Sequence, residues 1–405
     1  MSVKLACLAV LALAFSSCDK KEVAGGGGTG SLEAKIVFGQ ANTRASSTAV
    51  PITSWGSIKQ IQMFLYDAGG VVKFSDTIKP VATGGVVKRT WTTVPEGEYT
   101  MVLVANAKSS TDSVTTMIGS SPLEWTAMNV RNQGVANLTI RHMALSAFPA
   151  PVATVLGAGT KLKPFAVPAE VFMADTTKVK IASGQTTDIS ATPLKLKREV
   201  AMMRVRLRVN DKSQGFDNSN VDFGHADASV LVYTLPTGMG IGAGNAGGVT
   251  ATSIDSAVIV GASGAGTFKS QDPTAATHNP TVINDANFMK WREIVVFPNN
   301  GGRAASNATA STSQRYYVVI TGHAPTGHVL SDGTTVTDAG GALVSWAGLI
   351  TDSFQPNTIR EVNLNLTSGG TKGVPTTPAK EGGLTIVVSN PTPWDSNIQS
   401  TDLDI

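Results

Sequence analysis

Short runs in which apolar and polar residues alternate are the feature that most constrains the fold of this chain. This period of two is clearest in "IKQIQMFLYDAGG" at 58–70 and "LKLKREVAMMRVRLRV" at 194–209. No long stretch keeps the 3.6-residue spacing of an amphipathic helix. Gly, Pro, Asp and Asn separate the runs, as turns between strands require. The pattern predicts an all-β fold of packed sheets, with little helix beyond one short piece near 111–120.

The strand pattern extends through the whole chain and suggests two domains. Further strands are predicted at 88–106, 229–235, 292–298, 315–324, 358–367 and 383–390. Residues 236–281 and 298–313 are rich in Gly and Ala, and we predict long loops there. A turn-rich stretch near 185–193 marks a boundary, which gives β-sandwich domains at 45–190 and 191–405, both large enough to bury a core.

The run at 194–209 has a row of arginines on one face. Ala201, Met203, Val205, Leu207 and Val209 alternate with Arg204, Arg206 and Arg208. Such a row could bind an anionic surface or a glycan. The simpler interpretation is the solvated face of a half-buried antiparallel strand.

The N-terminus has the pattern of an export signal, which we place at residues 1–18. An apolar run of eleven residues, 5–15, follows Lys4. As a helix it would rise only about 16 Å, which is too short to span a bilayer. Ser16 and Ser17 then lead to Cys18, an ending similar to bacterial lipoprotein signals, in which the cysteine is acylated and becomes the first mature residue. An ordinary secretory signal with a chance cysteine is the alternative.

Composition excludes several classes of function. Both cysteines lie within the first 18 residues, so the body of the chain has no disulfide scaffold, cysteine zinc site or cysteine nucleophile. A net charge of +3 is too small for a nucleic-acid-binding surface. His323 and His328 could begin a metal site, but no acidic residue is close in sequence, so we expect surface loop residues. We predict no catalytic residue, no cofactor and no metal.

The stretch "LEAKIVFGQANTRASSTAV" at 32–50 joins a strand to an easily cut segment. Apolar side chains share one face of the strand: Leu32, Ala34, Ile36 and Phe38. The residues that follow are small and polar and include one arginine, Arg44, a composition well suited to entering a protease cleft. A glycine-rich tether at 23–31 precedes the strand.

Taken in order, these motifs resemble the FimA-type fimbrillins, the lipoprotein pilins of type V pili. The resemblance rests on the signal ending at Cys18, "LEAKIVFGQANTR" closing on Arg44, "IKQIQMFLYDAGG", "VPEGEYTMVLVANA", "PLKLKREVAMMRVRLRV", "IREVNLNLT" and a C-terminal strand followed by Trp394. It implies two tandem transthyretin-like (Greek-key) β-sandwich domains.

The resemblance also implies a processing step and a location. The precursor would be anchored to the outer membrane through a palmitate-type lipid on Cys18. An arginine-specific surface protease would then cut between Arg44 and Ala45, which removes the tether and first strand at 19–44. The mature protein would be part of an extracellular fimbria that serves adhesion and colonisation.

Polymerisation by donor-strand exchange is the further implication of the resemblance. Another copy, or a related pilin subunit, would fill the groove vacated by the first strand and so extend an open filament. The family uses its C-terminal segment as donor, here 395–405, in which Leu403 and Ile405 share a face and Ile398 points the other way. Because this apolar ladder is poor, two alternatives are a donor that begins earlier, at 384–390, and a minor or tip subunit (adhesin).

Two other functions compete with the pilin interpretation. An uncut surface lipoprotein could hold glycan through exposed tryptophans such as Trp55, Trp91, Trp346 or Trp394, although core packing explains them more simply. A surface hydrolase has no supporting motif. No sequence feature identifies a receptor.

Overall fold

The computed structural model describes most of the chain after the export signal. The described residues are 27–38, 58, 60–79, 86–106, 116–119, 134, 138–156, 160–174, 177–208, 217–236, 239–241, 253–264, 269–270, 288–299, 315–376 and 384–393. Within them the predicted all-β fold with little helix is confirmed. No helix in these ranges is long and apolar enough to cross a membrane.

The elements of the first half of the chain are short strands and one helix. They are β1 (Thr29–Phe38), β2 (Ile61–Tyr66), β3 (Val72–Ile78), β4 (Val86–Pro95), β5 (Gly97–Ala105), β6 (Thr116–Gly119), β7 (Thr139–His142), α1 (Ala150–Leu156), β8 (Lys163–Ala166), β9 (Phe172–Ala174), β10 (Thr177–Ile181), β11 (Thr186–Asp188) and β12 (Leu194–Arg198). The helix predicted near 111–120 is wrong where the structure can be compared, because 116–119 form β6 and residues 111–115 and 120 lie outside the described ranges.

The second half of the chain contains strands only, within the same description. They are β13 (Ala201–Arg208), β14 (Ser229–Pro236), β15 (Met239–Gly240), β16 (Ser253–Ser263), β17 (Lys269–Ser270), β18 (Phe288–Val296), β19 (Tyr317–Ala324), β20 (Ala342–Leu349), β21 (Thr358–Leu366), β22 (Thr371–Lys372), β23 (Leu384–Val388) and β24 (Thr392–Pro393). The prediction of loop throughout 236–281 is therefore wrong at β15, β16 and β17. β16 can form in this stretch despite its glycine and alanine content because Val258 and Ile259 supply apolar side chains that are fully buried.

The first sheet folds over on itself around one core. Its order is β11-β1-β12-β9-β5-β2-β3, with β4 also pairing β1 and β10 also pairing β5. Side chains of β1 and of β2, four positions apart in that order, belong to the same hydrophobic cluster, the first core. The alternation in β2 explains this, because Ile61, Met63 and Leu65 point to one face and are fully buried there.

Two further sheets form a second sandwich. One has the order β17-β18-β13-β21-β23, with β24 beside β21, and the other has the order β22-β20-β19-β14-β16-β8. Their facing side chains form the second core, in which Met203, Val205, Val230 and Val362 are fully buried. Helix α1 covers the outer face of the second of these sheets, where Val152 joins a cluster with Tyr233 and Tyr317.

The chain leaves the first sheet at Glu199 and Val200, within the run that the sequence predicted as one strand. β12 pairs with β9 in the first sheet, whereas β13 lies between β18 and β21 in the second sandwich. The domain division at residue 190/191 stays a prediction. The change of sheet itself comes after β12.

An interface core connects the two sandwiches. It contains Phe64 and Val102 from the first sheet, Met202 and Phe297 from the second sandwich, and Ile140 from the small sheet β15-β7-β6. β2 and β5 are buried on both faces because one face lines the first core and the other lines this interface. Burial on both faces explains why outward positions such as Phe64, Val102 and Val104 are also apolar.

The arginine face of β13 is buried, so the predicted solvated face is wrong for the arginines whose side chains are described. Arg204 is 4% and Arg206 is 3% exposed. Arg204 pairs with Glu293 of β18 at 3.0 Å, and Arg206 pairs with Glu361 of β21. Burial raises the pKa of Glu293, against the opposing effect of Arg204. The two neighbouring strands therefore supply the counter-charges that water would otherwise supply.

Candidate functional site: the first strand and its groove

β1 is hydrogen-bonded on both of its edges. It runs antiparallel to β4, with pairs from Thr29↔Pro95 to Val37↔Val86. On its other edge it runs parallel to β11 and then to β12, where Ile36 is opposite Leu194. We call the space between β4 and the β11–β12 edge the β1 groove. Removal of β1 would leave unpaired backbone groups along both walls of this groove.

The inward face of β1 is part of the first core. Leu32, Ala34 and Ile36 are all 0% exposed and belong to the same cluster as Met63 and Trp91. Burial of a Leu or Ile side chain contributes about 1.5–3 kcal/mol as an upper bound. Phe38 occupies the last position of β1, and its side chain lies outside the description. The β1 groove is therefore a row of apolar sub-pockets at two-residue spacing.

The start of β1 is held by the turn between β10 and β11. The backbone N–H of Ser31 donates to the carbonyl of Gln185 at 2.8 Å, and that of Gly184 donates to the carbonyl of Thr29 at 2.9 Å. A side chain at Gly30 would collide with the backbone of Ala182 and Gln185. Glycine at position 30 is thus required by the close approach of two backbones.

The outward face of β1 adds little attraction. Lys35 lies directly opposite Lys88 of β4, and like charges at such a pair are destabilising. Glu33 lies beside Asp188 of β11. Hydrogen bonds from the hydroxyl and backbone N–H of Ser190 lower the pKa of Asp188, so this carboxylate is charged at neutral pH. The retention of β1 therefore depends on its apolar face and its backbone ladder.

Several predicted site residues lie outside the described ranges. They are Cys18, Arg44, Ala45, Ile398, Leu403 and Ile405. β1 ends at Phe38, shortly before Arg44 in sequence. The alternative donor at 384–390 contains β23, which pairs with β21 of its own sandwich, with Val388 opposite Val362.

Two of the four candidate glycan-binding tryptophans are core residues. Trp91 is 4% exposed in the first core, and Trp346 is 1% exposed in the second core. The interpretation of core packing is confirmed for these two, and neither is placed to stack on a sugar. Trp55 and Trp394 lie outside the described ranges.

The predicted surface loop position is wrong for His328, which is buried, whereas His323 has a side chain that is 21% exposed but lies in a strand rather than a loop. His328 is 3% exposed, and its Nε2 lies 2.8 Å from the carbonyl oxygen of Gly369. His323 lies in β19, where its Nδ1 is 2.5 Å from Oδ2 of Asp227. Asp227 is 96 positions away in the chain, so no local pattern could have predicted this contact.

Taken together, the geometry defines a class of protein: an all-β chain of two sandwiches whose first strand completes the core of the first one. Residues 40–233 match the family of fimbrillin-A associated anchor proteins Mfa1 and Mfa2. The resemblance to fimbrillins that the motifs predict is thereby confirmed. The match supports a fimbrial or adhesin role, and with it a location at the cell surface or outside the cell.

Comparisons with individual proteins add only distant relatives. No curated protein sequence matches the chain. Among solved structures, a proposed cell adhesion protein of Bacteroides eggerthii has 15% identity and a TM-score of 0.46, with 91% of this chain and 97% of that chain covered.

Two proteins of Porphyromonas gingivalis are comparably distant. The fimbrilin FimA has 15% identity and a TM-score of 0.42, with 90% of this chain and 97% of that chain covered. The C-terminally truncated tip fimbrial protein Mfa3 has 9% identity and a TM-score of 0.37, with 90% of this chain and 99% of that chain covered. The family match, rather than these likenesses, supports the role stated above.

Proposed function

We propose that this chain is a subunit of a cell-surface fimbria that is assembled by donor-strand exchange. It is exported as a lipoprotein acylated on Cys18 and is cut between Arg44 and Ala45 by an arginine-specific protease. The β1 groove then accepts a strand from another subunit. The chain has no enzymatic role in this proposal, and its partners are other copies of itself and related subunits.

The observation that carries the proposal is the position of β1 in the fold. β1 supplies 0% exposed side chains to the first core and pairs on both edges, yet it belongs to the segment that a cut after Arg44 would release. Its loss would open apolar sub-pockets and two unpaired edges at once. An incoming strand with apolar residues at two-residue spacing satisfies both deficits.

A second candidate is an uncut subunit that stays at the membrane as an anchor. The description of the matched family, which names anchor proteins, favours it. Such a chain would keep both its lipid and β1, so its own groove would stay closed. It could still donate its C-terminal segment to the groove of a neighbouring subunit.

The fate of the Arg44–Ala45 bond distinguishes the two candidates. We expect treatment of the purified precursor with an arginine-specific protease to give a new N-terminus at Ala45 and SDS-resistant ladders. Arg44→Ala should prevent both, and Arg131→Ala serves as a control that should prevent neither. Arg44→Lys is a matched variant that should resist the arginine-specific protease but be cut and polymerise with trypsin.

The donor is tested separately by deletion of 395–405. A shaft subunit without this segment should be cut normally but remain a monomer. A minor or tip subunit that accepts a strand without donating one would be incorporated as before. Full-length ladders from the Arg44→Ala chain would contradict the proposed mechanism, and a resistant Arg44 bond in the wild-type chain would favour the anchor.

A further inference from the structure

Three side chains that can bind a metal ion converge at the end of β19. His225 and Asp227 come from the segment just before β14, and His323 comes from β19 itself. Oδ2 of Asp227 lies 2.5 Å from Nδ1 of His323 and 3.3 Å from Nδ1 of His225. One ligand atom from each residue lies within 4.8 Å of the others. We call this set the His–Asp–His cluster.

The backbone holds the cluster in place before any ligand arrives. Asp222 and His323 exchange two backbone hydrogen bonds, at 2.8 Å and 3.1 Å. The hydroxyl of Thr321 donates to the carbonyl of Asp227 at 2.6 Å. Gly322 has no room for a side chain because Val221 and Phe223 pack directly on it. The segment that carries two of the ligands is therefore fixed against the strand that carries the third.

Both ring nitrogens of His323 face hydrogen-bond acceptors. Nδ1 faces the carboxylate of Asp227, and Nε2 lies 2.8 Å from the carbonyl oxygen of Gly340. A neutral imidazole has only one N–H, so it can satisfy only one of these acceptors. Both acceptors are satisfied only if the imidazole carries a second proton or if a metal ion lies between Nδ1 and Asp227. A carbonyl on the far nitrogen is the arrangement that orients metal-bound histidines.

His225 completes the set from the solvent side. Its Nδ1 accepts a hydrogen bond from the backbone N–H of Asp227 at 3.2 Å, so this nitrogen is unprotonated, and an ion bound at Nδ1 would displace that long hydrogen bond. Its ring lies 4.0 Å from the ring of His323 between centroids. The side chain of His225 is 42% exposed, against 21% for both Asp227 and His323. An ion can therefore enter from water past His225.

We propose that His225, Asp227 and His323 bind a divalent transition metal, with zinc as the best fit. Two imidazole nitrogens and one carboxylate oxygen are ligands that zinc prefers, and three protein ligands leave a fourth position for water. The ion would take the place of the proton between Nδ1 of His323 and the carboxylate of Asp227. The contact between them would then widen to about 3.3 Å, the separation of two ligands on one tetrahedral zinc ion.

The site goes beyond the proposed function, because it lies in the second sandwich and uses no residue of β1. A bound ion would join the segment before β14 to β19, and Gly340 to both through His323. Because the metal would bind the folded chain, it would stabilise this sandwich by an amount that grows with the logarithm of the free metal concentration once that concentration exceeds the Kd.

The test is zinc titration of the tag-free full-length chain by calorimetry. We expect one zinc ion per chain with micromolar or tighter affinity, and a higher melting temperature in saturating zinc. Asp227→Asn and His225→Asn should each weaken binding by about tenfold or more, since even changes outside the ligand set cost that much. Asn at 225 places an amide oxygen near the former Nδ1, so it can still accept the Asp227 N–H.

Controls distinguish this site from other side chains of the protein that could bind a metal ion. His328→Gln changes a histidine of the same sandwich outside the cluster and should leave the zinc affinity unchanged. Cobalt substitution should give a spectrum without thiolate charge transfer, because Cys7 and Cys18 take no part. Three results would overturn the proposal: no zinc binding, a zinc affinity in both cluster variants equal to that of the wild-type chain, or a thiolate band from the bound cobalt.

Discussion

At the scale of single residues, a buried ion pair fixes the passage from the first sheet to the second sandwich. Arg198, the last residue of β12, donates from Nε to Glu170 at 2.8 Å and from Nη1 to Asn357 at 2.9 Å. The side chains of Arg198 and Glu170 are 2% and 4% exposed. Asn357 precedes β21, and its backbone N–H donates to the carbonyl of Val200. The guanidinium of Arg198 therefore connects Glu170, which precedes β9 of the first sheet, with Asn357, which precedes β21 of the second sandwich.

Removal of the charge of Glu170 should be costly. We expect Glu170→Gln to lower the free energy of unfolding by roughly 3–5 kcal/mol, because it removes the negative charge that lies against the buried guanidinium of Arg198. Glu98→Gln is a matched control, since the Glu98–Lys180 pair is 77% exposed on both sides and should contribute almost nothing. Urea unfolding of both variants measures the difference. Equal losses would show that burial does not decide the value of these pairs.

A buried neutral histidine makes the fold sensitive to acid. His142 packs against Phe297 at 4.3 Å between ring centroids, and neither ring nitrogen has a hydrogen-bond partner in the described part of the chain. Burial lowers the pKa of His142 from 6.5 to about 3. Below pH 6.5 the unfolded chain therefore gains a proton that the folded chain does not take up until about pH 3.

The contribution of neutral His142 to the free energy of unfolding is present in full above pH 6.5 and decreases as the pH falls. The slope is about 1.4 kcal/mol per pH unit between the two pKa values. His142→Leu should remove this slope, so the free-energy difference between the variant and the wild type should shift steadily in favour of the variant from pH 6 to pH 4. Urea titrations at several pH values measure it, and a constant difference would contradict the assignment.

At the scale of elements, β1 should contribute to stability before processing and not after it. Leu32→Ala should lower the free energy of unfolding of the uncut chain by about 2–5 kcal/mol, the usual effect of emptying a buried leucine site. In the cut and polymerised form residue 32 has been replaced by a donor, so variant and wild type should melt alike.

Val362→Ala is the control for this comparison. Val362 is buried in the second core, which processing leaves intact, so this variant should destabilise both forms. Melting curves of the wild type and both variants, each uncut and cut, are six samples and are sufficient. A Leu32→Ala defect that persists in the polymer would mean that β1 stays in its groove after the cut.

Part of the strand set was predictable from apolar–polar alternation, including β2, β13 and β21, whereas β6 was expected to be helix and β16 to be loop. The break between β12 and β13 had a signal that was missed. The residues of the first core are even-numbered at Leu194 and Leu196 and those of the second core are odd-numbered at Ala201 and Met203, a change of phase that a regular strand without a bulge cannot have. The burial of Arg204 had no local signal, because its partner Glu293 is 89 positions away.

At the scale of the whole molecule, the candidate site was predictable only in part. The inward positions of β1 followed from alternation, and Leu32, Ala34 and Ile36 are buried as a strand of that period requires. The strands that β1 pairs with could not be predicted from alternation, since its parallel pairing with β11 and β12 joins distant parts of the chain. The proposed metal ligands were likewise hidden, because the turn before β14 meets β19 only in the folded sandwich.

The opened groove should accept the C-terminal segment as a free peptide. We expect a cut chain lacking 395–405 to melt at a higher temperature when a peptide of residues 395–405 is added, because the peptide restores both the ladder and the buried side chains. A peptide with Leu403→Asp and Ile405→Asp should have no effect. The β1 sequence 29–38 is the positive control, and stabilisation by it alone would place the donor elsewhere in the chain.

The parallel pairing of β1 also sets an order of events during biogenesis. The parallel partners of β1 lie at 186–188 and 194–196, so this edge of the strand cannot pair until nearly half of the polypeptide has followed it, whereas β4 at 86–95 can pair the other edge earlier. If the chain is cut as proposed, the cut would therefore compete with completion of the groove around β1. Pulse-labelled chains exposed to an arginine-specific protease at successive times would measure this competition.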